Sequence, residues 1–264
     1  MTWVVGATSL FGYGALYSDI RVTFSDGTNH DILQKAYPIT NFIAAGFAGS
    51  VRIGFCLLQS LAESTWLPDE AQSTQAWDPV WVAERWSGTA RRIFDAAPSQ
   101  ERALGSQFLM LGASPTEGPE FGSRMFLVRF AAPDFRPGIM GRVIMSCSIG
   151  TGSGVEEYKR SIKPLLRLTS GINRAEVMNP NGWAQELAFS ISRAVNWHPK
   201  DGISSHFHAV VVRRGSLSTW NNDETIHHAD GSVVEVRMPP VAYSYEEFLA
   251  LAEKYRSEAS CATC

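Results

Sequence analysis

The sequence predicts an α+β fold, a four-layer αββα sandwich of two antiparallel sheets between helical layers, and three observations predict it. Segments with the two-residue alternation of strands and segments with helical spacing come in blocks: strands, two helices, strands, two helices, strands. A β-rich apolar stretch begins at Trp3, at a place where a chain frays unless a sheet holds it. Residues 41–50 carry an apolar run, then Gly46 and Gly49, then the helical spacing of Val51, Phe55, Leu58 and Leu61: a strand running through a glycine-rich turn into a helix.

Taken in order, residues 3–7 form a strand, Gly12 and Gly14 mark a turn, and residues 15–24 alternate as a second strand. Asp26-Gly27 is a turn signal, and residues 32–39 form a short strand that passes through Lys35. The strand at 42–45, the glycine turn and the helix follow. Residues 63–78 read as a loop. Pro79 opens a helix whose apolar face is Val82, Trp86, Ala90, Ile93 and Phe94, and Pro98 ends it. Residues 108–113, 124–132 and 142–149 read as three strands. Gly150 to Gly154 opens a helix through about residue 168, and Asn181 begins another that carries Trp183, Leu187, Ile191 and Val195. A turn at 201–205 leads into a strand at 206–213. Two short strands near Leu217 and Val233 pair with each other, and residues 245–255 form an amphipathic helix. With no repeat or linker, residues 1–264 read as one domain with an extension after about residue 214.

Composition narrows the function. The 264 residues are 45% hydrophobic and 19% charged, ordinary for a globular protein with a real core. A net charge of -3 favours neither nucleic acid nor an anionic membrane as partner. No apolar run approaches the roughly 20 residues of a membrane span, and the N-terminus does not read as a secretory signal. Cys56 and Cys147 fall in helix and strand patterns as small buried thiols; Cys261 and Cys264 form a Cys-x-x-Cys without the second pair that zinc needs. A reducing cytoplasm fits. No cofactor is expected: Gly150 to Gly154 resembles a phosphate loop but lacks its lysine. His206 and His208 alternate on a strand without a third ligand, so no metal site is expected. His227-His228 lies in a hairpin, and Trp77, Trp81 and Trp86 belong to the core or to a subunit interface. The backbone N–H groups at the glycine turn suit a developing negative charge, and Gly46 lets a substrate backbone come close.

Ser18-Asp19, Lys35, Ala45-Gly46-Phe47-Ala48-Gly49, Gly150-Thr151-Gly152 and Asp201 to Ser204 stand in an order that resembles the proteasome β-type N-terminal-threonine hydrolases. The resemblance covers roughly residues 2–213. Within that family the Gly-Phe-Ala-Gly run is most similar to the bacterial peptidase HslV, with the betaproteobacterial proteasome homologue as the other bacterial branch. The resemblance implies the Ntn-hydrolase fold and a self-compartmentalised threonine peptidase. Removal of Met1 would give Thr2 a free α-amine beside its own hydroxyl, with an ordinary pKa of roughly 7.7–8.0, so that one residue serves as nucleophile and general base. Lys35 would place positive charge beside the alkoxide, and Asp19 would hold Lys35 charged. The Gly46 N–H would supply the oxyanion hole. Thr151 stands where the family has a serine, with Ser153 one step away as the other candidate to orient the amine. Asp201 and Ser204 match residues that support the amino terminus, although Ser205 replaces a glycine there.

The resemblance further implies self-association into stacked rings of about 12 or 14 subunits, polypeptide substrates and an ATP-dependent unfoldase ring as partner. Two other readings stand beside it: a proteolytically silent ring-forming homologue, and an Ntn amidohydrolase acting on a small amide.

Overall fold

The structure, a computed structural model, describes residues 2–9, 11–65, 74–115, 124–141, 144–166, 179–221, 224–227 and 233–261. In chain order the strands are β1 (Trp3–Thr8), β2 (Tyr13–Asp19), β3 (Arg21–Thr23), β4 (Asn29–Asp31), β5 (Ala36–Thr40), β6 (Ile43–Gly49), β7 (Ser106–Ala113), β8 (Met125–Ala131), β9 (Gly138–Met140), β10 (Met145–Gly150), β11 (Phe207–Arg213), β12 (Ser216–Asn221), β13 (Glu224–His227) and β14 (Val233–Val236). The helices are α1 (Val51–Thr65), α2 (Pro79–Ala96), α3 (Ser99–Ala103), α4 (Glu156–Leu166), α5 (Pro180–Trp197) and α6 (Tyr245–Cys261).

The architecture is mixed α+β with antiparallel sheets. One five-stranded sheet has the order β10-β1-β2-β11-β12 and the other β5-β6-β7-β8-β9, while β3-β4 and β13-β14 are separate two-stranded ribbons. Strands β1 and β2 are buried along their whole length, and the period-two alternation sends their side chains two ways. Val4 and Leu16 meet Leu109, Leu111 and Leu127 of the second sheet. Trp3, Val5, Ala15 and Tyr17 meet Trp183, Leu187 and Ile191 of α5 and Tyr158 of α4. On the far side of the second sheet, Ile43, Ala45 and Phe47 pack with Ile53, Leu57 and Leu61 of α1 and Trp86 of α2. No helix among the described residues is long and apolar enough to cross a membrane.

Side-chain caps start two of the helices, α2 at the expected Pro79 and α5 at Pro180, one residue before the expected Asn181. Asp78 accepts from Val80 N and Trp81 N with Pro79 at the first helical position, and Asn179 accepts from Asn181 N ahead of α5. The C-terminal segment is pinned to the front of the molecule. Gln34 N donates to Ala242 O, Ala242 N donates to Ile32 O, and Phe248 and Ala252 of α6 pack with Leu33 and the α1 side.

Several expected elements differ. The strand expected at 15–24 breaks after Asp19 because Ile32 N and Leu33 N both bond to Ile20 O; β3 then leaves the sheet to pair with β4 around the Asp26-Gly27 turn. Lys35 lies just before β5 rather than within a strand over 32–39. β6 continues through Gly46 to Gly49, so Gly46 sits mid-strand opposite Ala36 and the turn comes three residues later. Residues 151–154 form a 3-10 turn before α4 instead of its first turn. The strand near Leu217 extends the first sheet beside β11, and Val233 pairs with His227. The α1 helix reaches Thr65 and α6 reaches Cys261. Residues 142–143, His228 and Cys264 lie outside the described residues.

Candidate active site

Strand register gathers the site at one end of both sheets. Trp3 is opposite Gly150, Val4 is opposite Ser18 and Phe207 is opposite Asp19, so the start of β1, the end of β10 and the end of β2 come together. Across from them stand Lys35 and the end of β6. Between the sheets at this end is a cavity of about 470 Å³ bordered by Thr2, Arg21, Lys35, Ala48, Gly49, Gln107, Gly150 and Thr151, among others.

Thr2 is 8% exposed. Its backbone N–H donates to Thr151 Oγ1 at 3.2 Å, and the Thr151 hydroxyl donates to Thr2 O at 3.3 Å. Gly152 N donates to the same carbonyl at 3.4 Å. The Ser153 hydroxyl donates instead to Gly150 O at 2.6 Å, so of the two candidate hydroxyls Thr151 is the one at Thr2. Gly150 has φ +82, and a Cβ there would stand 2.1 Å from Thr2 O. Only glycine lets β10 close on residue 2 in this way.

Asp19 and Lys35 form a buried ion pair, with Nζ 2.8 Å from Oδ1 and side chains 0% and 2% exposed. Asp19 also accepts from Trp3 N through Oδ2, in a short contact, and from Arg21 N at 2.8 Å. The carboxylate is thus tied both to the residue after Thr2 and to the ammonium. Lys35 Nζ also donates to Arg21 O at 2.5 Å. Among the described residues these two bonds use two of its three N–H donors, and Lys35 borders the cavity together with Thr2. Burial pushes the Asp19 carboxyl up and the Lys35 ammonium down, and their mutual contact opposes both shifts.

Behind this pair lies a second cluster. Asp31 takes two bonds from Arg21, at 2.6 and 3.1 Å, and one from the Ser204 hydroxyl at 2.7 Å, with His206 Nδ1 at 3.6 Å. Burial alone would raise the Asp31 carboxyl, but the contacts with His206, Arg21 and Ser204 outweigh it and hold the group well below the usual carboxylate range. Ser204 is fully buried here, bonded to Asp31 and to His206 N at 3.0 Å, whereas Asp201 is exposed in its turn.

Of the residues singled out by sequence, Thr2, Asp19, Lys35 and Thr151 come together. Ser204 joins the Asp31 cluster one step behind them. Gly46 does not border the cavity; a Cβ on it would stand 3.0 Å from both Lys35 O and Val4 Cγ1, among the packed sheets. The part of β6 at the cavity is Phe47, Ala48 and Gly49, the last with φ +101 and so placed that a Cβ on it would stand 2.3 Å from Gly105 O. Sequence reasoning missed Arg21, Asp31 and Gln107. Pairing outward from the Asp26-Gly27 turn puts Arg21 opposite Asp31, so a signal for those two existed; Gln107 had none. Among the described residues no three His, Cys, Asp or Glu side chains gather as a metal ion requires.

No protein-family model matches the sequence, and no curated protein matches it. Solved structures do. The chain is similar to Anbu, an ancestral β-subunit, from Yersinia bercovieri, with TM-score 0.58 and 11% identity over 84% of this chain and 88% of that one. It is also similar to a Gly-1 mutant of Anbu from Hyphomicrobium sp. strain MC1, with TM-score 0.55 and 13% identity over 98% and 97%. Both are proteasome-like, and at such identity the likeness defines the class of fold. It corrects the placement nearest HslV, with the betaproteobacterial homologue as alternative: Anbu is a group distinct from HslV. The short Gly-Phe-Ala-Gly run misled because, inside β6, it meets the packing needs of a buried strand as well as those of a site.

Proposed function

We propose that this protein is a threonine-type amidohydrolase that cleaves peptide bonds, with Thr2 as its nucleophile after removal of Met1. The observation that carries the reading is the bonded chain from Thr151 through Thr2 and Trp3 to Asp19 and Lys35 at the wall of one cavity. The three apolar clusters, one between the sheets and one on each outer face, support the four-layer αββα arrangement of Ntn hydrolases. Likeness to a protein named as a β-subunit supports self-association, and the proteasome-type order of the motifs supports rings with polypeptide as substrate.

The chemistry runs in two halves. The Thr2 α-amine takes the proton of its own hydroxyl as Oγ1 bonds to the scissile carbonyl carbon. Thr151 Oγ1 holds that amine. The Lys35 ammonium favours the alkoxide. At the cavity-facing end of β6 the Phe47 N–H is committed to Lys35 O at 3.1 Å, so the Gly49 N–H takes the place first assigned to Gly46 in meeting the oxyanion. Collapse breaks the C–N bond, the amine's proton leaves with the departing nitrogen, and an ester on Thr2 remains. Water, deprotonated by the same amine, releases the acyl group. Ser204 acts at one remove: with Asp31 it holds Arg21, whose carbonyl receives Lys35.

Intact mass before and after treatment with a β-lactone tests the assignment. The expected result is a chain without Met1 that gains one acyl group, and a Thr2→Ala variant that gains none. A retained Met1, or acylation that survives Thr2→Ala, refutes it and leaves the silent homologue as the better description.

A further inference from the structure

Gln107 is a half-buried residue of β7 that no part of the chemistry above uses. It follows the between-sheet alternation of Leu109 and Leu111, lies opposite Ala48, and so projects from the second sheet toward the first at the cavity end. There its Oε1 accepts from Gly150 N at 2.9 Å, bridging the sheets beside the turn that holds Thr2. A backbone N–H can only donate, so it fixes which end of the planar amide faces Gly150. The NH2 group is turned to the other side, and Gln107 borders the cavity with Thr2, Ala48 and Gly49. No bond from that NH2 to a described residue accompanies the one to Gly150. A buried-edge amide with two open donors, on the wall of a site that accepts peptide, matches one chemical group above others: a carbonyl oxygen of an extended main chain.

We propose that Gln107 is a substrate-binding residue whose Nε2 donates to a main-chain carbonyl of the polypeptide, a residue away from the bond being cut. This rests on the function proposed above, and the test separates the two. Gln107→Glu keeps an acceptor for Gly150 N–H and removes the donors; Gln107→Ala removes both. In the full chain, Gln107→Glu is expected to melt with wild type, to be acylated on Thr2 by a small β-lactone at the wild-type rate, and to lose about 2- to 10-fold in kcat/KM on fluorogenic peptides through KM, as befits one lost neutral hydrogen bond. Gln107→Ala should show the same KM effect with a lower melting temperature. Peptide kinetics unchanged in Gln107→Glu overturn the inference while leaving Thr2 in place. A wild-type chain never acylated overturns the Thr2 assignment and this inference with it. A crystal structure of wild type with a peptide bound provides an independent measure: Nε2 about 3 Å from a main-chain carbonyl oxygen supports the role, and an amide without that contact refutes it.

Discussion

Ser18 and Asp19 are neighbours on β2, both fully buried, and alternation points them to opposite faces. Asp19 has a partner for each oxygen: Lys35 and Arg21 N at one, Trp3 N at the other. Ser18 faces the space between the sheets, across from His208 on β11, and among the described residues neither its Oγ nor His208 Nδ1 has a hydrogen-bond partner, although His208 bonds toward the Ala36 backbone. One buried polar spot is charged and fully satisfied; the other is neutral and left open. The difference teaches where this fold can tolerate polarity. Burying a charge demands several aligned donors, and only the cavity end of the sheets, where β1, β3 and the approach to β5 converge, supplies them.

The largest effect expected from breaking the comparison is on the Asp19 side. Lys35→Met leaves a buried carboxylate without its counter-ion and should destabilise the fold by about 3–5 kcal/mol, read as a lower urea midpoint, while abolishing Thr2 acylation. A double variant, Lys35→Met with Asp19→Asn, should recover much of the stability and none of the acylation. Recovery of acylation would show that the pair serves packing alone.

Next comes the closure of β10 on residue 2. Gly150→Ala forces a Cβ into Thr2 O from a left-handed backbone position, and a strained residue of this kind costs about 1–3 kcal/mol. Because Gly150 also positions Thr151, acylation should fall more than stability does. Equal, small losses in both would mean that the turn moves aside freely.

The Ser18 side should show itself through pH. Burial lowers the His208 pKa from 6.5 to about 4, a bond toward the Ala36 backbone opposing the shift. The folded chain therefore keeps His208 neutral where the unfolded chain protonates it. Stability from this group is complete above pH 6.5 and is lost as pH falls toward 4. At about 1.4 kcal/mol per pKa unit the loss amounts to about 3 kcal/mol. In urea unfolding at pH 7 and pH 4.5, a His208→Gln variant should lose less stability on acidification than wild type. An identical pH slope in both would remove His208 as the cause.

How much of this was legible in the sequence follows the same division. Strand alternation and helical spacing carry long-range packing, so β1, β2, α1, α2 and α5 can be read from Trp3, Leu16, Leu57, Trp86 and Trp183. The order of motifs likewise led to Thr2, Asp19, Lys35 and Thr151, which the structure brings into one bonded chain. Positions set by hydrogen-bond competition could not be read. The break after Asp19 depends on Ile20 O accepting from residues 32 and 33, a contact between segments that no local pattern announces. Gly46 looked like a turn residue because glycine is the usual sign of one, yet its role is to let Val4 pack close. Gln107 is an ordinary polar residue at a strand start, and only the arrival of Gly150 N gives its amide a direction.

The smallest expected effect lies at Ser18 itself. Removing a buried hydroxyl that has no partner relieves its desolvation, so Ser18→Ala should leave stability unchanged or raise it by up to about 1 kcal/mol. Asp19→Ala, one residue on, should unfold the site and lower stability by several times that amount, since Lys35 would then be buried alone. Measured side by side by chemical denaturation, the two variants isolate what a partner is worth at equal burial on one strand. If Ser18→Ala proves as damaging as Asp19→Ala, the space between the sheets holds a polar partner for Ser18, and His208, opposite it on β11, would be the first residue to vary in turn.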